Sequence, residues 1–185
     1  QKRGYRSRSA FKLLQINEKF NLFKSGMVII DLGCAPGGWL QVITDLINKN
    51  KKGQLIGIDL LDTDILPKVE ILKGDINDEN ILSQINKILN GKKVNGVVSD
   101  MAADTTGHRP TDHLRTTMLL ESAIDIAKDL LDEDGFFLGK CFKGGAEASV
   151  LETLNKSFKV VKHVKPDASR KESVESYVLA MYYKN

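Results

Sequence analysis

The sequence predicts an α/β fold: a seven-stranded, mostly parallel sheet of Rossmann-like type, with an antiparallel last strand and helices on both faces. Three observations carry this. Short apolar runs alternate with helical patterns along the chain. The first run leads straight into a glycine-rich turn, Gly33-Cys-Ala-Pro-Gly-Gly38. The last two runs have no helix between them, so residues 165–174 form a loop and the strands flanking it lie antiparallel.

The elements follow in order. Ser9–Phe20 reads as a helix with Phe11, Leu14 and Glu18 at helical steps, broken by Ser25-Gly26. Met27–Asp31 is a nearly continuous apolar run, as expected of a strand buried on both faces. Trp39–Asn48 is helical, Gln54–Asp59 and Val69–Leu72 are strands, and Asn80–Leu89 is a helix. Val94–Asp100 is the fourth strand, followed by a polar loop over residues 101–113. Leu114–Leu131 is an amphipathic helix closed by Asp132-Glu-Asp-Gly135. Phe136–Phe142 is a strand and Ala146–Lys156 a helix; Phe158–Val164 and Glu175–Tyr183 are the last two strands.

The chain has 185 residues, 42% of them hydrophobic and 28% charged. That suffices for one core and predicts a single domain over residues 1–185, with residues 1–20 as a basic arm and helix. No apolar run approaches the roughly 20 residues of a membrane span. Cys34 and Cys141 stand far apart with no CxxC, which disfavours a disulfide-stapled domain and favours a reducing compartment. Neither they nor His108, His113 and His163 have zinc-site spacing, so no metal is expected. The net charge of +3 is uneven. Residues 1–12 carry Lys2, Arg3, Arg6, Arg8 and Lys12 and no acid, leaving 22 basic against 24 acidic residues elsewhere. A basic arm on a mildly acidic body points to a polyanionic partner.

The turn after the first strand is not GxGxxG, which argues against a dinucleotide. Asp31, Gly33, Pro36, Gly37, Gly38 and Trp39 are the candidate ligand residues there, with Trp39 offering a flat apolar wall. Ligands of open parallel sheets sit outside the carboxyl ends of the strands. Asp31, Asp59, Asp75 and Asp100 fall at or just past the ends of strands one to four. Asp59 is placed to accept from ribose hydroxyls and Asp75 from an adenine amino group. Four acids around one crevice repel phosphate and suit S-adenosylmethionine, which carries a sulfonium and an ammonium. Lys140 interrupts an apolar strand, Phe136-Phe-Leu-Gly-Lys140-Cys-Phe142, and lysines are rarely buried there without a partner or a function.

Four stretches carry a family resemblance: Tyr5-Arg-Ser-Arg-Ser-Ala-Phe-Lys12-Leu, Gly33-Cys-Ala-Pro-Gly-Gly-Trp39, Ser99-Asp-Met-Ala102 and Lys165-Pro-Asp-Ala-Ser-Arg-Lys-Glu-Ser173. In this order they resemble the FtsJ/RrmJ-type ribose 2′-O-methyltransferases, over about Arg3 to Tyr183. The resemblance implies a catalytic tetrad on Lys12, Asp100, Lys140 and Glu175. It implies cofactor contacts at Gly37, Trp39, Asp59, Asp75 and Asp100. One departure is Met101-Ala-Ala-Asp104, where the family carries Pro and then Asn at the last two positions. The 168–173 stretch is most similar to mitochondrial large-subunit rRNA uridine methyltransferases. That implies a mitochondrial protein, with cytoplasm or nucleolus as alternatives.

A desolvated lysine near a second lysine has its ammonium disfavoured and is able to act as a base. Lys140 is the favoured base, with Lys12 supplying the second charge, although either is a candidate for the neutral form. Asp100 would hold the lysine beside the methyl-bearing end, and Glu175 would orient Lys12 or the hydroxyl. Arg3, Arg6, Arg8, Arg170 and Lys171 are expected to grip RNA phosphates. Arg109-Pro-Thr-Asp112 either touches the nucleotide or caps the next helix. The expected reaction is S-adenosylmethionine-dependent 2′-O-methylation of large-subunit rRNA, at a uridine, by a monomer without membrane or metal. The rivals are the same chemistry on a tRNA anticodon loop or mRNA cap, and a noncatalytic rRNA-binding or ribosome-assembly factor.

Overall fold

The computed structural model describes residues 4–142, 146–171 and 175–185. Arg3, one of the expected RNA contacts, lies outside the described residues. The chain runs α1 (Ser9–Phe20), β1 (Val28–Leu32), α2 (Gly38–Ile47), β2 (Gln54–Asp59), β3 (Val69–Lys73), α3 (Glu79–Leu89) and β4 (Val94–Ser99). It continues through α4 (Arg109–Leu130), β5 (Leu131–Phe142), α5 (Ala148–Ser157), β6 (Phe158–Val164) and β7 (Glu175–Tyr183).

The sheet order is β3-β2-β1-β4-β5-β7-β6. Strands β1 to β5 run parallel to one another, and β7 runs antiparallel to both β5 and β6. The expected seven-stranded Rossmann-like sheet is therefore present. In addition, β7 is inserted between β5 and β6, so its first residues arrive at the edge where β4 and β5 end. The pairing sets Lys140 opposite Tyr177 and Phe142 opposite Glu175. Period-two alternation then puts Lys140, Tyr177 and Glu175 on one face.

Strand residues alternate between two apolar layers. Ile30, Ile56, Val97 and Phe137 pack toward α3, α4 and α5. Ile29, Leu55, Val98 and Leu138 pack toward α1 and α2. Within α1 the buried stripe is Ala10, Leu13 and Ile16 rather than the expected Phe11 and Leu14, which are half-buried. The small Ala10 lets the helix lie close, so the stripe with less apolar bulk faces inward.

Two boundaries differ from the sequence reading for local reasons. Helix α4 begins at Arg109 instead of Leu114, because the His108 side chain caps it by accepting from the Thr111 amide. Pro110 in the first turn forfeits only an amide with no helical partner there. Arg109–Asp112 is thus helix, not loop. Strand β5 begins at Leu131, with Asp132–Gly135 bulged out between the pairs Val94–Leu131 and Gly96–Phe136.

Helix α1 is held mainly by its buried stripe, and Leu13 is fully buried there. Leu13→Ala is expected to cost about 2–5 kcal/mol of unfolding free energy, measured as a lower urea midpoint. Leu14→Ala, at a half-buried position, costs less.

Candidate active site

The site is assembled where β1, β2 and β4 end and β7 begins. After Leu32 the backbone turns sharply. Gly33 adopts φ +75°, and an added Cβ would lie 2.2 Å from Met101 Cγ. The Gly33 and Cys34 amides both donate to the Ile58 carbonyl, at 2.7 and 3.0 Å, which draws the turn against β2. Asp59 then accepts from the Ala35 amide at 2.9 Å and the Leu61 amide at 2.8 Å. Asp75 accepts from the Asn77 amide at 2.9 Å. Asp59, Asp75 and Asp100, with Gly33 and Ala35, line a cleft of about 610 Å³. Three of the four strand-end acids therefore surround one cavity.

Asp31 is the fourth, and it is 1% exposed. Among the described residues neither of its carboxylate oxygens has a hydrogen-bond partner. Burial pushes its carboxyl well above the usual range, and the charges of Asp100 and Asp59 push it the same way. The neighbouring Cys34 thiol is pushed up to about 12, chiefly by burial and then by Asp31. An orphaned acid beside two others is a local surplus of negative charge that a cationic ligand would relieve.

Pro36, Gly37, Gly38 and Trp39 are not walls of this cleft. Trp39 is buried, donates its indole N–H to the Ser9 carbonyl at 2.9 Å, and packs 5.8 Å from the Tyr177 ring. The expected flat wall for a ligand instead braces α1 against β7. Gly37, at φ +114°, and Gly38 leave room for the chain before α1: a Cβ on Gly37 would lie 2.7 Å from Arg6 Nη1, and one on Gly38 2.1 Å from Ser7 Oγ.

Asp100 is the hub of the catalytic group. Its Oδ1 accepts from the Tyr177 hydroxyl at 2.6 Å and lies 3.2 Å from Lys140 Nζ. Its Oδ2 accepts from the Ser9 hydroxyl at 2.5 Å. Lys140 Nζ is also 3.2 Å from Glu175 Oε2. Asp100, Lys140 and Glu175 are thus brought together as expected. Lys12 lies one turn beyond Ser9 on α1, half-buried, and forms no ion pair among the described residues. Sequence reasoning missed Ser9 and Tyr177. Tyr177 stands two residues from Glu175, the strand period for a shared face, and that signal was available.

Lys140, the favoured base of the sequence reading, is mostly buried and paired with two carboxylates. Burial does pull its ammonium down, but the charges and hydrogen bonds of Asp100 and Glu175 outweigh burial and hold the group above its ordinary value. Asp100 holds Lys140 as the sequence reading has it, and Glu175 reaches Lys140 where that reading turned it toward Lys12 or the hydroxyl.

The RNA residues divide. Arg8, Arg170 and Lys171 are exposed. The loop bearing the last two is tied to α1 by the Ala168 amide, which donates to Gln15 Oε1 at 2.7 Å. Arg6 is not available as a phosphate grip, since its guanidinium donates to the carbonyls of Pro36, Asp64 and Ile65. Asp112 accepts from the Thr106 amide at 2.9 Å and its hydroxyl at 2.6 Å, steadying the loop before α4.

The FtsJ-like methyltransferase family model matches residues 5–183, nearly the whole chain. The chain belongs to the FtsJ-like methyltransferase family. Ribosomal RNA large subunit methyltransferase E of Bartonella bacilliformis is 50% identical over 182 residues, 98% of this chain and 76% of that protein. The Brucella ovis protein of the same name is also 50% identical, over 98% of this chain and 75% of its own length. The crystal structure of a ribosomal RNA methyltransferase from Plasmodium falciparum superposes with a TM-score of 0.86 at 31% identity, covering 97% of this chain and 98% of that one. The mitochondrial expectation is overturned by these relatives: Bartonella and Brucella are bacteria, which have no mitochondria.

Asp31 yields a test with a definite sign. A carboxyl raised in the folded state favours folding only below its unfolded value, about 3.9, and opposes it as pH climbs through the folded value. Asp31→Asn should therefore raise the unfolding midpoint of the ligand-free protein at pH 8, with the difference shrinking toward pH 4. Thermal melts at the two pH values measure it.

Proposed function

We propose that this chain transfers a methyl group from S-adenosylmethionine to a ribose 2′-hydroxyl of large-subunit rRNA, at a uridine. The observation that carries the reading is the cluster Asp100–Lys140–Glu175 beside a cleft lined by acids, with the buried Asp31 lacking a partner. Supporting it are family membership and relatives named for large-subunit rRNA methylation. Residues 1–185 act as one domain and as a monomer, with Arg8, Arg170 and Lys171 gripping phosphates.

The donor set fits the cofactor. Asp59 and Asp75 retain acceptor capacity for hydroxyl and amino donors, and Asp100 offers negative charge to a cation without phosphate. When bound, S-adenosylmethionine supplies an electrophilic methyl group. The protein's own residues handle the nucleophile. Ser9 and Tyr177 fix Asp100, and Asp100 with Glu175 fixes Lys140 as an ammonium. That ammonium donates to the ribose oxygen and stabilises it as it loses its proton. Glu175, the more exposed of the two carboxylates, accepts that proton. Lys12 adds positive charge from α1. Most of the gain comes from holding the hydroxyl in line.

The assay is transfer of tritiated methyl to large ribosomal subunits from cells lacking the protein, with 2′-O-methyl mapping. Label at a ribose of the large-subunit RNA, dependent on the protein, is expected. No transfer, or label on a base, would falsify the reading. Lys140→Ala should lower turnover by about 10²–10³-fold while S-adenosylhomocysteine still binds.

The pH profile separates the roles of Lys140. Its folded value lies above the ordinary lysine range, so a mechanism needing neutral Lys140 in the free enzyme gains tenfold per pH unit up to and beyond about pH 10. An ammonium role predicts kcat/KM nearly flat from pH 7 to 9. A sustained tenfold rise per unit would restore Lys140 as the base.

A further inference from the structure

The segment 4–9 crosses the glycine loop as a strap tied along its length. Gln41 Nε2 donates to the Gly4 carbonyl at 3.2 Å, and the Arg6 amide donates back to Gln41 Oε1 at 2.8 Å. At the far end the Ser9 carbonyl accepts from Trp39 and the Ser9 hydroxyl donates to Asp100. Between them, Arg6 Nη1 donates to the Asp64 carbonyl at 2.8 Å and the Pro36 carbonyl at 3.3 Å, and Nη2 donates to the Ile65 carbonyl at 3.0 Å. One guanidinium thus joins the strap to the glycine loop and to residues 60–66.

Residues 60–66 carry Leu60 and Leu61, two walls of the cleft. They form neither helix nor strand, and Leu60, Leu61 and Ile65 are 65%, 68% and 90% exposed. Their other side-chain ties among the described residues are Asp59 to the Leu61 amide, an exposed Lys73–Asp62 pair at 2.9 Å, and Thr63 Oγ1 at 3.7 Å from Cys34 Sγ. An exposed ion pair holds little. Leu60, Leu61 and Ile65 face water, so apolar packing holds the segment only at its end, where Leu66 packs against the core layer of α1 and α2. Arg6, with a rigid fork of donors on two successive carbonyls, is what fixes the middle of the loop.

We infer that Arg6 is a positioning residue for the methyl donor: from the N-terminal strap it holds residues 60–66 as a wall of the cleft. The inference rests on the cofactor reading above. It gives the basic arm two separate tasks, since Arg8 is exposed on the same strap while Arg6 is spent inward. Donor affinity then depends on a segment that lies outside the cleft.

Calorimetric titration with S-adenosylhomocysteine tests this on wild type, Arg6→Ala, Arg6→Lys and Arg8→Ala, with amide exchange read across the chain. Arg6→Ala should weaken binding about tenfold, as expected for lost charge-assisted hydrogen bonds. Arg6→Lys should recover part of the loss, having a single donor group in place of the fork. Arg8→Ala should bind as wild type. Exchange should quicken at 61–66 in Arg6→Ala and leave α3 unchanged, which a general loss of stability would not do. Wild-type affinity in Arg6→Ala, or equal loss in Arg6→Ala and Arg8→Ala, overturns the inference. If Arg6→Ala does not fold, Arg6→Lys decides: intermediate affinity with faster exchange at 61–66 supports it, and wild-type values for both refute it. A wild-type protein that binds no S-adenosylhomocysteine refutes the cofactor reading and the inference together, whereas unchanged Arg6→Ala binding refutes the inference alone.

Discussion

The carboxylate of Asp100 accepts from Ser9 on α1 and Tyr177 on β7, and is ion-paired with Lys140 on β5. Three elements distant in sequence meet on two oxygen atoms. Removing that carboxylate would leave a half-buried ammonium leaning on Glu175 alone and two hydroxyls without their acceptor, so the arrangement stands or falls as a unit. The hub also explains why α1, which precedes the sheet in the chain, must dock beside β7. Its buried stripe and the Trp39 bond to the Ser9 carbonyl hold the helix so that Ser9 reaches Asp100.

Charge is distributed to match. Asp31, Asp59 and Asp100 stand at the ends of adjacent strands β1, β2 and β4, and burial together with the charges of Asp100 and Asp59 raises the carboxyl of Asp31. Lys140 answers one side of that field. The other side is open toward the cleft, where Asp59 and Asp75 lie. Burying Asp31 without a partner beside these acids costs stability in the ligand-free protein.

Much of this was legible in the sequence. Strand-end acids are readable because a parallel sheet sends its ligand to the carboxyl ends, and Asp59, Asp75 and Asp100 needed only correct strand boundaries. Lys140 stood out as a charge in an apolar run. Less accessible was anything set by pairing across the sheet. That Glu175 would meet Lys140 as well depends on the β5–β7 register, which no local pattern encodes. The inward use of Arg6 was hidden for a related reason: a guanidinium bound to main-chain carbonyls has partners without side-chain identity. The start of α4 was missed although Pro110 and Asp112 mark a helix N-terminus, because the surrounding polarity resembled a loop.

The reversed direction of β7 has a consequence for the rest of the chain. A strand parallel to β5 would enter from the floor of the sheet and leave at its working edge. Because β7 enters at that edge with Glu175, it leaves at the floor, where Tyr183 pairs with Phe158 at the start of β6 and Lys184 donates to the Ser157 carbonyl. The strap and the carboxyl terminus therefore sit at opposite poles of the molecule.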